Sequence, residues 1–231
     1  MHLKINRDFV QNEISQKGYA VIENVLSNQE CEHLISNFDA AHLYRKTVDM
    51  ERYRFGAGTY KYFKYPLPSV IQRLREKMYP ELVPIANQWI SQLKLDLVYP
   101  KDLEKLRQRC ADHGQHLATP LILKYGQGGY NTLHQDLYGE VYFPMQAVLF
   151  LNDYGADYSG GEFVLTQQVP RAQSKAMVLH PKKGAMLIFS TNFRPVQGKK
   201  GFYRVTMKHG VSEVHSGERY TLGIIFHDAA Q

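Results

Sequence analysis

The spacing of apolar residues changes near residue 119. Before it they recur mainly at helical intervals; after it they come in short runs separated by glycine, proline and Asn-Asp. Residues 6–16 have the pattern of a short amphipathic helix. Tyr19-Ala20-Val21-Ile22, apolar and partly β-branched, reads as a strand. Ser27-Asn28-Gln29-Glu30 has capping-box form, with Cys31, Leu34, Ile35 and Phe38 behind it at helical spacing. Ser69 is a candidate cap for a helix carrying Val70, Ile71, Leu74 and Met78. Pro80 and Pro84 are expected to break or restart that helix before Ile85, Trp89, Ile90 and Leu93 continue its stripe. A further helix is expected from Lys101 to about Ala111, with Asp102 as N-cap candidate. Strands are then expected at 120–125, 132–137, 145–151, 162–166, 176–180, 185–190, 203–211 and 219–227. So many short strands in one stretch indicate a β-sandwich or jelly roll. The chain therefore reads as α+β with a mainly β core. A double-stranded β-helix (jelly roll) over 119–231 is supported by N-terminal helices and a strand over 1–118 that belong to the same fold.

Bulk properties narrow the classes. With 231 residues, 44% of them hydrophobic, the chain suits one large domain and excludes a disordered one. Two cysteines, Cys31 and Cys110, make no disulfide framework and suit a reducing compartment. The first residues lack the apolar core of a signal peptide, and no apolar run approaches a membrane span. The expectation is a soluble, cytoplasmic protein; its oligomeric state leaves no mark in the sequence. A net charge of +6 admits an anionic partner such as nucleic acid, or a basic enzyme with a cationic pocket for small dicarboxylates. The basic residues are spread along the chain, most densely as Arg45, Lys46, Arg52, Arg54, Lys61 and Lys64. With the run Tyr60-Lys61-Tyr62-Phe63-Lys64-Tyr65, residues 45–68 read either as the border of a binding site or as a half-exposed hairpin.

The most informative triplet is His134-Gln135-Asp136. On an extended strand, positions 134 and 136 project from one face, so an imidazole and a carboxylate converge. Such a pair is two-thirds of the two-histidine, one-carboxylate set that holds Fe(II) with positions left open. His209 and His215 compete as the third member. The segment reads as a hairpin turning at Ser216-Gly217-Glu218, which would pair 215 with 219, 213 with 221 and 209 with 225. His209, Arg219 and Thr221 would then share a face. Residues 209 to 215 span about 20 Å of strand, so His209 can lie near a barrel mouth with Arg219 deeper and a small dicarboxylate between. His215, directly opposite Arg219, leaves no such room. Arg219 suits a carboxylate because its planar fork binds bidentately, and Thr221 adds a hydroxyl. The alternative use of Arg219 is an ion pair with Glu213.

These elements, in order, resemble the Fe(II)- and 2-oxoglutarate-dependent oxygenases, most closely their prolyl-hydroxylase-like branch. The match comprises Tyr125, Gly128-Gly129, His134 with Asp136, Gly160-Gly161-Glu162-Phe163, His209, and Gly217-x-Arg219. The resemblance implies iron on His134, Asp136 and His209, and the distal carboxylate of 2-oxoglutarate on Arg219, with Tyr125 a candidate for the same group. Gln146, expected to point into the barrel, would be another partner of the co-substrate. Phe150 stands where prolyl hydroxylases often have tyrosine. Residues 192–207, with Arg194, Lys199, Lys200 and Arg204, read as a long connection that either faces substrate or is solvated. The implied cofactors are Fe(II), 2-oxoglutarate and O2, with ascorbate a candidate reductant and succinate and CO2 as co-products. The expected reaction is hydroxylation of an unactivated C–H bond in a protein residue or an amino-acid-like small molecule. The alternatives are an oxidative demethylase of alkylated nucleic acid and a non-catalytic jelly-roll module that binds a metal or small ligand.

Overall fold

A computed structural model describes residues 5–230. Four helices, α1 (Arg7–Lys17), α2 (Asn28–Ser36), α3 (Ser69–Gln92) and α4 (Leu103–Asp112), lie in the first half with four strands: β1 (Tyr19–Ile22), β2 (Tyr44–Asp49), β3 (Gly56–Ala57) and β4 (Thr59–Phe63). The second half supplies β5 (Leu121–Tyr125), β6 (Tyr130–His134), β7 (Met145–Phe150), β8 (Tyr158–Gly160), β9 (Phe163–Gln168), β10 (Ser174–Leu179), β11 (Met186–Ser190), β12 (Phe193–Gly198), β13 (Gly201–Val211), β14 (Val214–Gly217) and β15 (Arg219–Ile224). A major sheet runs β1-β11-β7-β15-β5-β4-β2. A minor sheet runs β10-β9-β13-β6-β3, with β12 on β13, and β14 pairs with β8. The neighbouring strands are antiparallel, and the two sheets face each other as in a jelly roll. Strands of the first half close both edges of the major sheet, so the division near residue 119 is one of sequence texture and not of sheet membership.

The major sheet is buried on both faces. Ala147, Leu149, Ile188, Leu222 and Ile224 pack on α1 and α3 through Val10, Ile14, Leu74, Met78, Leu82 and Trp89. The alternate residues Val148, Phe150, Leu187 and Phe189 face Phe163 and Leu165 of the minor sheet. This explains why β7 is buried at every position and is apolar but for Gln146.

The capping box forms as expected: Ser27 accepts from the Glu30 N–H, and Glu30 receives the Ser27 N–H. Three expectations are corrected. Pro80 and Pro84 do not break α3, which is one helix of 24 residues. Each internal proline costs about 3 kcal/mol. Against that, Ile71, Leu74, Met78, Leu82, Ile85 and Trp89 are buried, each contributing about 1.5–3 kcal/mol, so packing wins. Ser69 does not cap α3 but is its first residue, behind Pro68, whereas Asp102 is the N-cap of α4 as expected, although its side chain makes no capping hydrogen bond. Residues 192–207 are not a loop. They form the β12–β13 hairpin, because Phe193, Val205 and Met207 are buried in a regular ladder. The segment 45–68 is also a hairpin, β2 with β4, extending the major sheet. Among the described residues no helix is long and apolar enough to cross a membrane.

Candidate metal centre and co-substrate cavity

A cavity of about 230 Å³ opens between the two sheets. His134 is the last residue of β6, and Asp136 follows two residues on, outside the strand, which runs 130–134 where 132–137 was expected. His209 lies on β13 directly opposite His134 in the β6–β13 ladder, and the two rings are 4.2 Å apart. His209 Nε2 is 3.2 Å and His134 Nε2 3.6 Å from the two Asp136 oxygens. Donor atoms of the three residues all lie within 4.8 Å of one another. That spacing suits three ligands on one face of a transition metal.

The surroundings fix these donors. His134 Nδ1 lies 2.7 Å from the Thr132 carbonyl and donates to it, so Nε2 is the atom left to bind a metal. The Tyr138 hydroxyl donates to Asp136 Oδ1 at 2.7 Å, and Gln146 Nε2 donates to Oδ2 at 2.9 Å. Burial opposes the Asp136 charge, but the two imidazoles outweigh it and hold the carboxyl well below the usual range. Burial, with the neighbouring His134, keeps His209 neutral to lower pH than usual. At His134 burial is outweighed by the Asp136 carboxylate, and the imidazole is raised. Burial, and then the Asp136 charge, push the Tyr138 hydroxyl well up, so it stays a donor.

Arg219 opens β15, opposite Tyr125 of β5, and is 1% exposed. None of its three nitrogens makes a hydrogen bond, although it lines the cavity. Its guanidinium is surrounded by the rings of Tyr125, Phe150 and Tyr158 at 5.5–5.9 Å. A buried cation without a partner is costly, and a carboxylate would satisfy this one. Thr221, two residues along the same strand, also lines the cavity. Tyr125 is fully buried, and its hydroxyl accepts from Asn131 Nδ2 at 3.2 Å; burial pushes it up to about 12. The residues present therefore fit both a metal ion and a small dicarboxylate.

The route by which the sequence joined His209 to Arg219 is corrected. The expected pairing of 213 with 221 and 209 with 225 does not form. β13 belongs to the minor sheet, β14 pairs with β8, and β15 pairs with β5 and β7. His209 and Arg219 meet across the cavity from facing sheets, not along one hairpin. His215 is exposed on β14 and outside the cavity, and Glu213 is exposed without an ion pair to Arg219. Gln146 lies at the site, but it bonds Asp136.

Of the two readings of residues 45–68 the structure bears out both, a hairpin that borders the cavity, while Tyr138 and the closeness of an aromatic wall to Asp136 went unread. Tyr60, Tyr62 and Tyr138 pack edge to face, at 5.4 Å and 6.0 Å between successive rings, and line the cavity beside Asp136. Phe55, stacked on Tyr53 at 5.5 Å, continues that lining, and both rings are exposed. The signal for Tyr138 was present: 134, 136 and 138 stand at the spacing of two that shares a face wherever a chain is extended.

With this geometry in hand, the comparisons with known proteins agree on class. Residues 58–229 match the Oxygenase-NA family, described as "Oxygenase, catalysing oxidative methylation of damaged DNA". Two uncharacterized proteins of Mycobacterium tuberculosis, from strains CDC 1551 / Oshkosh and H37Rv, are each 45% identical over 168 residues, covering 73% of this chain and 72% of theirs. A Pseudomonas putida prolyl-4-hydroxylase superposes with TM-score 0.56 at 14% identity, over 94% of this chain and 96% of that one. A Burkholderia pseudomallei oxidoreductase of the 2OG-Fe(II) oxygenase family gives 0.56 at 13%, over 99% and 95%. A Trichoplax adhaerens prolyl hydroxylase, solved with a hypoxia inducible factor peptide fragment, gives 0.54 at 15%, over 95% and 87%. The chain belongs to the Oxygenase-NA family of oxygenases, on the prolyl-hydroxylase-like fold of the Fe(II)- and 2-oxoglutarate-dependent dioxygenases.

Proposed function

We propose that this oxygenase uses Fe(II), 2-oxoglutarate and O2 to hydroxylate the alkyl group of a damaged nucleobase, which is then lost as an aldehyde. The observation that carries the reading is the pairing, in one cavity, of a three-donor centre with a buried arginine that no residue satisfies. In this reading His134, Asp136 and His209 hold the metal, and Arg219 with Thr221 receives the distal carboxylate of 2-oxoglutarate. Tyr125, beside Arg219, borders that carboxylate. Gln146 and Tyr138 aim the Asp136 oxygens.

Bound Fe(II) with 2-oxoglutarate and O2 supplies the oxidant that inserts one oxygen atom into a C–H bond, leaving succinate and CO2. The chain's own work is positioning. The charge on Arg219 fixes one end of the co-substrate through bidentate contacts. The imidazole Nε2 atoms stay unprotonated only if the proton favoured at His134 leaves when metal enters, so metal affinity falls as pH drops. Tyr60, Tyr62 and Tyr138 present ring edges and faces to whatever lies beside Asp136, and Phe55 with Tyr53 adds a stacked pair at the opening. Aromatic walls of this kind suit a planar base, which stacks irrespective of its sequence context. The family description, which names damaged DNA, supports the same substrate class. A hydroxylated N-methyl group collapses to the free amine and formaldehyde, so release of formaldehyde marks the reaction.

Under anaerobic conditions the protein with Fe(II) and 2-oxoglutarate is expected to develop a visible absorption band. Aerobically, N-methylated single-stranded oligonucleotides should release formaldehyde with matching succinate, assayed with and without ascorbate. Absence of both the band and succinate would overturn the oxygenase reading. A peptide or free amino acid hydroxylated where no methylated oligonucleotide reacts would move the substrate to the protein or small-molecule reading.

A further inference from the structure

Between Glu162 and Glu213 the chain holds no acidic residue and nine lysines and arginines, more than its whole net charge of +6. The expectation of basic residues spread along the chain is thus corrected by the distribution of the acidic ones: this stretch carries the net positive charge. In the fold it forms β9 to β13, four strands of the minor sheet and one, β11, of the major sheet. From Arg204 to His209 the residues of β13 alternate: Val205, Met207 and His209 are buried, while Arg204, Thr206 and Lys208 are exposed, and Phe202 before them is exposed as well. By strand geometry the exposed four stand in one row on the face opposite the cavity. Lys199 and Lys200 are exposed at the β12–β13 turn that starts the row, and Tyr203 beside them is 37% exposed. The ladder partners of Lys208 and Thr206 on β9 are Thr166 and Gln168, and beyond Thr166 on β10 lies Ala176, all uncharged. None of Lys199, Lys200, Arg204 and Lys208 has a carboxylate partner among the described residues.

We propose that this outer row of the minor sheet, from the Lys199-Lys200 turn along Arg204 and Lys208, docks the sugar–phosphate backbone of a nucleic acid strand. The proposal rests on the reading above that the substrate is a nucleobase, and it adds where the rest of the strand runs. Charge complementarity commits the surface to a polyanion. Arg204 and Lys208 lie about 13 Å apart along the strand, so they reach separate, non-adjacent phosphates of one extended chain. Phe202, 42% exposed in the same row, adds a face on which a flanking base stacks. The row also leads to the active centre: Lys208 precedes His209, which faces His134 across the ladder.

The test is binding of a labelled 20-nucleotide single-stranded DNA to the full chain across a salt series. Wild type is compared with the triple variant Lys199→Glu, Lys200→Glu, Arg204→Glu, with the milder pair Lys199→Gln, Lys200→Gln, and with a control of equal charge change elsewhere, Lys77→Glu, Lys101→Glu, Lys105→Glu. Loss of three phosphate contacts should reduce the slope of log affinity against log salt by about 2 and lower affinity about tenfold or more near 0.1 M salt. The glutamine pair should show about two-thirds of the slope change, and the control nearly none. Far-ultraviolet circular dichroism checks that each variant folds. Equal slopes in wild type and both turn variants would overturn the track, as would wild-type binding to anionic phospholipid vesicles but not to DNA. Formaldehyde release from an N-methylated mononucleoside, too short to reach the row, tests the cavity reading separately. Its presence alongside an unaltered salt slope would leave that reading standing without the track.

Discussion

The two ends of the cavity solve the burial of charge in opposite ways. At one end, Asp136 is surrounded by His134, His209, Tyr138 and Gln146, so its charge has partners within the chain. At the other, Arg219 is buried among three aromatic rings with no partner. In the proposed reading the metal end is thus assembled before anything binds, whereas the arginine end is completed by an anion. The difference teaches which ligand should affect stability most. A carboxylate that reaches Arg219 relieves a cost already built into the fold, and a metal mainly exchanges one set of partners for another.

The largest effect should come from breaking the assembled end. His209→Ala or His134→Ala removes one of three donors, and iron retained after desalting should fall to background with turnover. Asp136→Ala should do the same and also leave the two imidazoles, 4.2 Å apart, without their carboxylate. Iron content measured beside succinate formation checks this. Normal turnover in any of the three would end the assignment of the metal to these residues.

Breaking the other end should split stability from activity. Arg219→Leu removes charge-assisted contacts worth about 1.5–3 kcal/mol each, so the 2-oxoglutarate requirement should rise about a hundredfold. The same change removes an uncompensated buried cation, so the ligand-free variant should be about 1–2 kcal/mol more stable than wild type. Wild type should gain about 2.7 kcal/mol when 2-oxoglutarate is present at a hundred times its dissociation constant, and the variant nothing. Thermal melts with and without the co-substrate measure both. A ligand-free Arg219→Leu protein that melts well below wild type would remove the contrast between the ends.

How far the site was readable depends on whether its parts are local. His134 and Asp136 are two residues apart on one stretch, and a spacing of two is visible in any extended segment. Tyr138 obeys the same alternation and was equally readable. Tyr60 and Tyr62 were visible as a run of aromatics, but only the pairing of β4 with β5 turns them toward Asp136. His209 and Arg219 are nearby in sequence, and that closeness misled: a hairpin was the simplest link. Gly217, at φ 78, instead turns the chain from the β8 partnership into the major sheet. The jelly roll itself was legible from turn signals and short apolar runs. The unbroken α3 was not, because propensity at Pro80 and Pro84 yields to an apolar stripe whose partner lies far away in sequence.

The hydrogen bonds that aim Asp136 offer a smaller, sharper test of the assembled end. Tyr138→Phe keeps the ring against Tyr62 and deletes only the donor to Oδ1. Losing such a supporting contact typically weakens metal binding about 10–100-fold. Iron affinity should therefore fall while the melt of the metal-free protein barely moves. The 2-oxoglutarate requirement at saturating iron should hold. A co-substrate effect as large as that on iron would tie Tyr138 to both ends and blur the contrast.

The smallest effect concerns His227, which follows β15 and stands 6.0 Å, ring to ring, behind Tyr138. Its Nδ1 accepts the Phe143 N–H at 3.1 Å, and burial lowers the imidazole to about 3. Where Arg219 is a buried cation, His227 is buried neutral, and its sign in acid follows. The folded state binds this proton only near pH 3, and the unfolded chain binds it near 6.5. Its contribution to stability is therefore fully present above about pH 6.5 and is lost as pH falls toward 3, at about 1.4 kcal/mol per pH unit. Protonation would also forfeit the Nδ1 acceptor. Asparagine can accept from Phe143 without titrating, so His227→Asn should flatten the fall between pH 6.5 and 5 by about 2 kcal/mol. Urea unfolding at pH 7.5, 6.5 and 5 measures it. Parallel losses in wild type and variant would mean that the metal end is not backed by a neutral histidine, and that its acid sensitivity lies in His134 and Asp136 themselves.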